Sequence, residues 1–281
     1  MADGMARMMV GDVEVLALLD ASAQGWCSAM FPDVPPDAWS AYGEYLSDDG
    51  TRIAISISSF LVRSSGKNIL VDTGMGAKDR RGYPNGRLPD LLREAGVALD
   101  EIDLVLATHI HIDHVGWHTT ARGDGWAPTF PRAKHVFVRE EYEYWTAPDV
   151  AGRPPAPWVD DCVLPLRGCA EVDLVDGESS VTDEITLLPT PGHTPAHTSF
   201  AIMSAGESAV ILGDVAHSPV QVTETGWHPV FDLNPALASA SRERLMRKIE
   251  GEDTRLLAGH FPFPGFGRVV RVDGRRSWRA G

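Results

Sequence analysis

Two β-sheets packed face to face, with helices on their outer sides, form the architecture that this sequence of 281 residues predicts. Three observations place it in the α/β (α+β) class. Short strand-like runs dominate both halves of the chain, each half ends in one or more helices, and such elements bury their apolar faces only as stacked layers. No composition-shifted linker or short-period repeat divides the sequence, so residues 1–281 read as a single domain, long enough to bury a substantial core.

Taken in order, Val10–Leu19 and Ile53–Val62 carry β-branched residues in partial period-two alternation, the mark of a strand. Asn68–Asp72 is a short apolar strand that runs into a glycine-containing loop, Thr73–Met75. Leu88–Ala95 has helical spacing, Ile102–Ala107 is a buried-type strand, Lys134–Val138 is another strand, and Glu140–Trp145 starts a helix. Pro148–Leu166, rich in Pro, Asp and Trp without a clean period, reads as a long surface loop. A loop of that length is either a simple connection or a wall of the substrate pocket. Strands return at Ile185–Pro189, Thr198–Met203 and Ala209–Leu212. Asn234 and Pro235 then supply an N-cap and a first-turn proline for a helix that reaches Ile249. Thr254–Ala258 is read as the last strand, ending at Gly259 and His260.

Composition narrows the function classes. Hydrophobic residues at 43% and charged residues at 23% are ordinary for a globular enzyme. A net charge of -14 repels phosphate backbones and anionic headgroups, so neither nucleic acid nor membrane is an expected partner. Cys27, Cys162 and Cys169 are odd in number and lack a CxxC pair, which argues against a disulfide framework or a thiolate metal site. Met1–Val10 has no signal-peptide apolar region, and the serine-interrupted stretch around Ile53–Val62 is too short to span a bilayer. A reduced, cytoplasmic location is the expectation.

The chemistry is concentrated in Thr108-His109-Ile110-His111-Ile112-Asp113-His114, immediately after a buried strand. His109 and His111 are two apart, so an extended segment points both to one side. Asp113 and His114 follow where the chain must turn, and one segment can feed two adjacent metal ions. Three imidazoles and a carboxylate at the end of an apolar strand would leave buried polar groups without partners unless a cation binds them. His193, Asp214 and His260 each lie next to glycine on a loop after an apolar strand and are the candidate further ligands. His135 and His228 read as packing or surface residues, and His118 as a surface residue or one behind the ligands.

The HxHxDH run, the Pro191-Gly192-His193 turn, the Gly213-Asp214 strand end, the late Gly259-His260 and the Asp72-Thr73-Gly74 turn together resemble the metallo-β-lactamase superfamily. The likeness extends from about Val10 to Val272. It implies a four-layer αββα sandwich, with His109, His111 and His193 on one metal, Asp113, His114 and His260 on a second, and Asp214 bridging both. His111–Trp117 and Gly259–Gly265 are similar to the group of N-acyl homoserine lactonases and methyl parathion hydrolase. Many of those lactonases carry a tyrosine three residues after the bridging aspartate; this chain has His217 there, either aimed at the substrate carbonyl or orienting Asp214.

The resemblance implies hydrolysis of a lactone or related ester by a metal-bridging hydroxide, as in quorum-quenching lactonases, with Asp113, Asp214 and His217 as the catalytic set. A bridging aspartate argues against antibiotic hydrolysis as the main role. The alternatives are phosphotriester or other promiscuous ester hydrolysis and, from a different class, an iron-dependent persulfide dioxygenase-like oxidoreductase. Nitrogen and carboxylate donors suit two divalent ions, zinc first, with iron, manganese or cobalt acceptable. Trp117, Phe261 and Phe263 are the expected pocket walls, among several aromatics near the ligands, for a small substrate with an apolar group. A homodimer is left open.

Overall fold

The computed structural model describes residues 3–148, 150–151 and 153–281. Its first sheet is built from β1 (Met5–Val10), β2 (Val13–Trp26), β3 (Arg52–Ser64), β4 (Lys67–Val71) and β5 (Leu104–Leu106). After a small hairpin, β6 (Thr119–Arg122) and β7 (Gly125–Pro128), it is completed by β8 (Lys134–Val138) and β9 (Glu171–Val175), in the order β1-β2-β3-β4-β5-β8-β9. The second sheet runs in sequence order: β10 (Ile185–Pro189), β11 (Thr198–Ser204), β12 (Glu207–Ile211), β13 (Arg255–Leu257), β14 (Phe266–Val272) and β15 (Arg275–Ala280).

The alternation in the sequence sorts side chains into layers. Val13, Val15, Ala17, Phe60, Val62, Ile69 and Val71 meet Ile185, Leu187, Phe200, Ile202, Ile211 and Leu257 in a core between the sheets. The intervening Leu16, Leu18, Leu61 and Leu70 turn to the opposite face, where Leu88, Leu91 and Leu92 of the helix Leu88–Glu94 cover them. On the far side, Leu245, Met246 and Ile249 of the helix Pro235–Ile249 pack on Val210, Leu212 and Leu256. Each such side chain contributes roughly 1.5–3 kcal/mol on burial against about 1 kcal/mol for a helix cap, and there are many of them, so the two faces of each sheet are what fix the layer order. The result is the expected αββα sandwich. Asn234 caps the Pro235–Ile249 helix, accepting from the Leu237 N–H at 3.1 Å.

Two expectations are corrected. Pro148–Leu166 is not a featureless loop: it contains the helix Trp158–Cys162 and a turn of 3-10 helix at Leu164–Leu166, while Asp149 and Gly152 lie outside the described residues. Thr254–Ala258 is not the last strand, because β14 and β15 extend the second sheet beyond it, joined through Asp273-Gly274. Asp-Gly between two runs is itself a strong hairpin signal.

Strand direction then places the site. β4 and β5 are parallel and pair Val71 with Leu106, so Asp72 and the Thr108–His114 segment leave the first sheet at the same edge. β12 and β13 are likewise parallel and pair Ile211 with Leu257, which brings Asp214 and His260 out together from the second sheet. Parallel strands that stop in register release their loops on one side, where ligand sites gather.

Asp20 braces this edge from below. The β2–β3 ladder passes from Leu19 to Ala21 opposite Ser58 and Ile57, leaving Asp20 as the extra residue of a bulge. Its carboxylate is buried and accepts from the backbone of Met75 (2.7 Å) and Leu88 (2.6 Å) and from the Trp117 indole N–H (2.9 Å). Burial pushes its pKa up to about 6 against those donors. Trp117 is therefore a strut, with its ring packed on the Leu16–Leu92 cluster, and it also lines a surface cavity with Lys78, Thr119 and Trp126. Phe261, expected beside it, is fully buried against Trp278 in the layer under the Pro235–Ile249 helix. Phe263 packs partly buried on the central core. Trp117→Phe should lower stability by about 1–3 kcal/mol, since it strands one acceptor site of a buried carboxylate. Urea denaturation measures this; an unchanged midpoint with an altered KM would return Trp117 to the pocket.

Candidate metal centre

The sequence-predicted ligands converge from four loops of the two sheets. His109, His111, His193 and Asp214 form one group, and Asp113, His114 and His260 form another, with the ligating atoms of each group within 4.8 Å of one another. Asp214 stands between them. Its Oδ2 lies 3.2 Å from His193 Nε2 and 3.6 Å from His109 Nε2, whereas its Oδ1 lies 3.1 Å from both His114 Nε2 and His260 Nε2. Asp113 reaches His260 Nε2 at 3.5 Å. Four donors arranged tetrahedrally at 2.0–2.1 Å from a cation are spaced about 3.3 Å apart, close to these separations.

Hydrogen bonds behind the ligands fix which ring nitrogens face inward. His260 Nδ1 can only donate to the Ser56 carbonyl (2.7 Å), and His114 Nδ1 donates to the Asp72 carboxylate (2.8 Å). His193 Nδ1 donates to Asp232 (2.9 Å), which Arg242 backs at 3.3 Å. His109 Nδ1 bonds the Thr108 hydroxyl at 3.0 Å, and that hydroxyl donates onward to Asp72. With those protons spent outward, neutral rings turn their other lone pairs into the centre. His114 Nε2 and His260 Nε2 then face each other at 3.3 Å, and His193 Nε2 faces His111 Nδ1 at 2.9 Å. Among the described residues, His109 Nε2 and Asp214 Oδ1 are buried without a hydrogen-bond partner. Converging buried lone pairs repel unless a positive charge sits among them, so the donor set fits two divalent cations.

The electrostatics agree. Burial opposes charge on His114, yet Asp214, Asp72 and Asp113 hold its pKa well above the ordinary imidazole value. His193, against the same burial, is carried up to about 9 by Asp214 and Asp232. Burial would raise Asp214, but the surrounding imidazoles, His114 and His260 foremost, hold it well below the usual carboxylate range. His109 and His111, further from the flanking carboxylates, are kept well below the ordinary value by burial. The carboxylates thus draw positive charge onto His114 and His193, a proton or a cation in its place, while the lone pairs of His109 and His111 stay free.

Local backbone makes this geometry reachable. Asp72 adopts a left-handed φ of 58°, which turns its carboxylate back under Thr108 and His114. Gly213 has φ 58°, and a Cβ there would lie 2.6 Å from His197 Nε2. His197, buried and with its pKa pushed down to about 3 chiefly by burial, accepts the Asp214 N–H at 2.8 Å while its Nδ1 bonds Thr190 at 2.9 Å. This residue, four positions after His193 in Pro191-Gly192-His193-Thr194-Pro195-Ala196-His197, was not anticipated and holds the central carboxylate by its backbone. Asp232 has no comparable sequence signal.

His217 lies where its position after Asp214 suggested. Its Nε2 is 3.1 Å from Asp214 Oδ2, its backbone N–H donates to Gln221 at 2.7 Å, and its ring stacks on His260 at 5.4 Å. His135 is a packing residue, as expected, and His118 is buried beside it rather than on the surface: the two bond through Nδ1 at 2.8 Å, apart from the centre. His228 pairs with Asp33, also outside it. The rim of the centre is apolar. Phe231 stands 6.1 Å from the His217 ring, Trp158 stands 6.1 Å from His111, and Ile112 packs with Ala21, Ile57 and Met75. Asp113 is the most exposed of the ligand carboxylates, at 22% against 4% for Asp214, and marks the open side.

The profile of the metallo-beta-lactamase superfamily matches residues 53–260, and the chain belongs to that superfamily. It is a metal-dependent hydrolase. Among its relatives is an N-acyl homoserine lactonase of Bacillus thuringiensis, 25% identical over 229 residues that cover 75% of this chain and 83% of the relative. Of the solved structures, the hydrolase AbOPH of the beta lactamase superfamily superposes with a TM-score of 0.87 at 26% identity, over 100% of this chain and 98% of the other. The dizinc quorum-quenching lactonase AidC, in complex with its N-hexanoyl-L-homoserine product, gives 0.83 at 22% identity, over 99% and 97%. No helix among the described residues is long and apolar enough to cross a membrane.

Asp72→Asn tolerates the left-handed backbone and removes the charge behind His114. Divalent-metal affinity should fall by about 10–100-fold with the fold intact by circular dichroism. An unchanged affinity would show that Asp72 serves only the turn.

Proposed function

We propose that this chain hydrolyses a lactone, an N-acyl homoserine lactone foremost, or a related ester bearing an apolar group, at a pair of zinc ions. The observation that carries the reading is the divided carboxylate of Asp214, one oxygen toward His109 and His193 and the other toward His114 and His260. In this reading His109, His111 and His193 hold one ion, Asp113, His114 and His260 hold the other, and Asp214 is shared. Two such ions lower the pKa of a water between them and polarise a substrate carbonyl oxygen.

The protein's own residues shape what can enter. Phe231, Trp158 and Ile112 offer apolar surface, and Arg242, the cation that backs His193 through Asp232, is fully buried. An uncharged carbonyl compound with an acyl or aryl group suits that rim better than a polyanion. Asp113, on the open side, is placed to pass a proton to the departing alkoxide, though its basicity falls when it also serves as a ligand.

His217 is read here as a positioning residue. The hydrogen-bond distance of its Nε2 is to Asp214 Oδ2, and its ring is buried, packed on His193 and His260. Burial, the largest influence, lowers its pKa, so the ring is neutral and can donate through Nε2.

Two measurements test the reading. On zinc-loaded protein, a panel of lactones, thioesters, aryl esters and phosphotriesters should give the highest kcat/KM for acyl-bearing lactones. A clear preference for phosphotriesters would overturn the assignment, as would iron content with oxygen consumption on a persulfide. His217→Ala should weaken metal binding by about 10–100-fold, with activity restored at high metal concentration. A loss of roughly 10²–10³-fold in kcat with both ions still bound would make His217 a donor to the substrate oxyanion instead.

A further inference from the structure

Glu141 is a buried carboxylate, 2% exposed, on the helix Arg139–Thr146, and no cation pairs with it among the described residues. Its Oε1 accepts the Ile110 N–H at 3.0 Å and the Trp145 indole N–H at 2.7 Å, and its Oε2 accepts the Ala196 N–H at 3.1 Å. Ile110 lies between His109 and His111 on the loop that leaves the first sheet. Ala196 lies in the turn of the second sheet that presents His193 and His197. One side chain thus spans the gap between the sheets at the point where the first ligand group is assembled.

These three N–H donors are satisfied at both oxygens only by an acceptor with no proton of its own, and the Thr194 hydroxyl of the same second-sheet turn also approaches the carboxylate. A buried carboxylate is costly to keep, and three hydrogen bonds to it offset that cost only while each stays made. Trp145, fixed by one of them, packs its ring 5.3 Å from the His111 ring. The other group, Asp113, His114 and His260, takes its support from Asp72 and Ser56 and makes no hydrogen bond to Glu141.

We propose that Glu141 is a positioning residue that sets the spacing of the His109–His111–His193 group across the sheet interface, and that its loss weakens the ion held there while sparing the other. The proposal rests on the two-ion reading above. Glu141→Gln is the sharpest probe. An amide keeps its oxygen toward Ile110 and Trp145, which places its own NH2 against the Ala196 N–H and opens only the bond to the second sheet.

The experiment is calorimetric zinc titration of the metal-stripped full chain. It compares wild type with Glu141→Gln, Glu141→Asp and Trp145→Phe, using His193→Ala and His114→Ala to mark the two positions. The expected result is a zinc affinity about 10–100-fold weaker at one position in Glu141→Gln and Glu141→Asp. That position should be the one His193→Ala removes, with the position marked by His114→Ala unchanged. Trp145→Phe, which keeps both links between the loops, should leave both positions near wild type. Equal weakening of both positions, or no change at either, overturns the role of Glu141. A wild-type chain that takes one zinc overturns the two-ion reading instead. Glu141 is then judged on whether its variants lose the zinc that His193→Ala loses, and it fails if they do not. Circular dichroism on each variant separates a lost ion from a lost fold, and Glu141→Asp carries the test should the amide not fold.

Discussion

A single carboxylate, that of Asp214, is shared between two sets of imidazoles, and most of the surrounding structure exists to keep it there. It is buried, its oxygens point to opposite sides, and neither side alone would justify its position. A buried carboxylate with imidazoles on both faces stabilises the chain only when positive charge is distributed on each face. That requirement explains why Asp72, Asp232, Ser56 and Thr108 all take their protons from the outward ring nitrogens. Each such bond turns an imidazole lone pair inward.

The fold delivers this arrangement through strand direction. Most neighbours in the two sheets are antiparallel, but β4–β5 and β12–β13, whose following loops carry six of the seven ligands, are parallel and end in register, while His193 sits on the antiparallel β10–β11 connection. The two sheets then face each other with their ligand loops at one edge, and polar links that cross the interface hold those loops together. His197 ties Asp214 to the His193 turn, and the Thr198 N–H donates to the Thr108 carbonyl at 2.9 Å. Helices on both outer faces bury the alternate residues of each strand, so the edge is carried on layers covered on both sides.

Much of the site was legible in the sequence because its donors are local. His109, His111, Asp113 and His114 lie within six residues, and His193, Asp214 and His260 each sit beside glycine at the end of an apolar run. The residues that orient them were not legible. Asp20, Glu141 and Asp232 look like ordinary surface carboxylates until tertiary approach buries them, and His197 resembles any polar residue of a turn. Phe261 was misplaced, and the tie of Trp117 to Asp20 went unread, for a related reason: proximity to a ligand in sequence does not determine which way a ring points. The bulge at Asp20 and the layer beneath the Pro235–Ile249 helix decide that instead. The terminal strands β14 and β15 carried a readable alternation and an Asp-Gly turn, yet they follow the last ligand and fall outside the strand-then-helix rhythm of the halves.

The central claim is that Asp214 joins two cation positions, and anomalous diffraction from crystals of the zinc-loaded protein tests it most directly. The account predicts two zinc peaks about 3.5–4 Å apart with one Asp214 oxygen on each. One peak should lie among His109, His111 and His193, and the other among Asp113, His114 and His260. A single peak at full zinc loading, or two peaks with both Asp214 oxygens on the same ion, would contradict it.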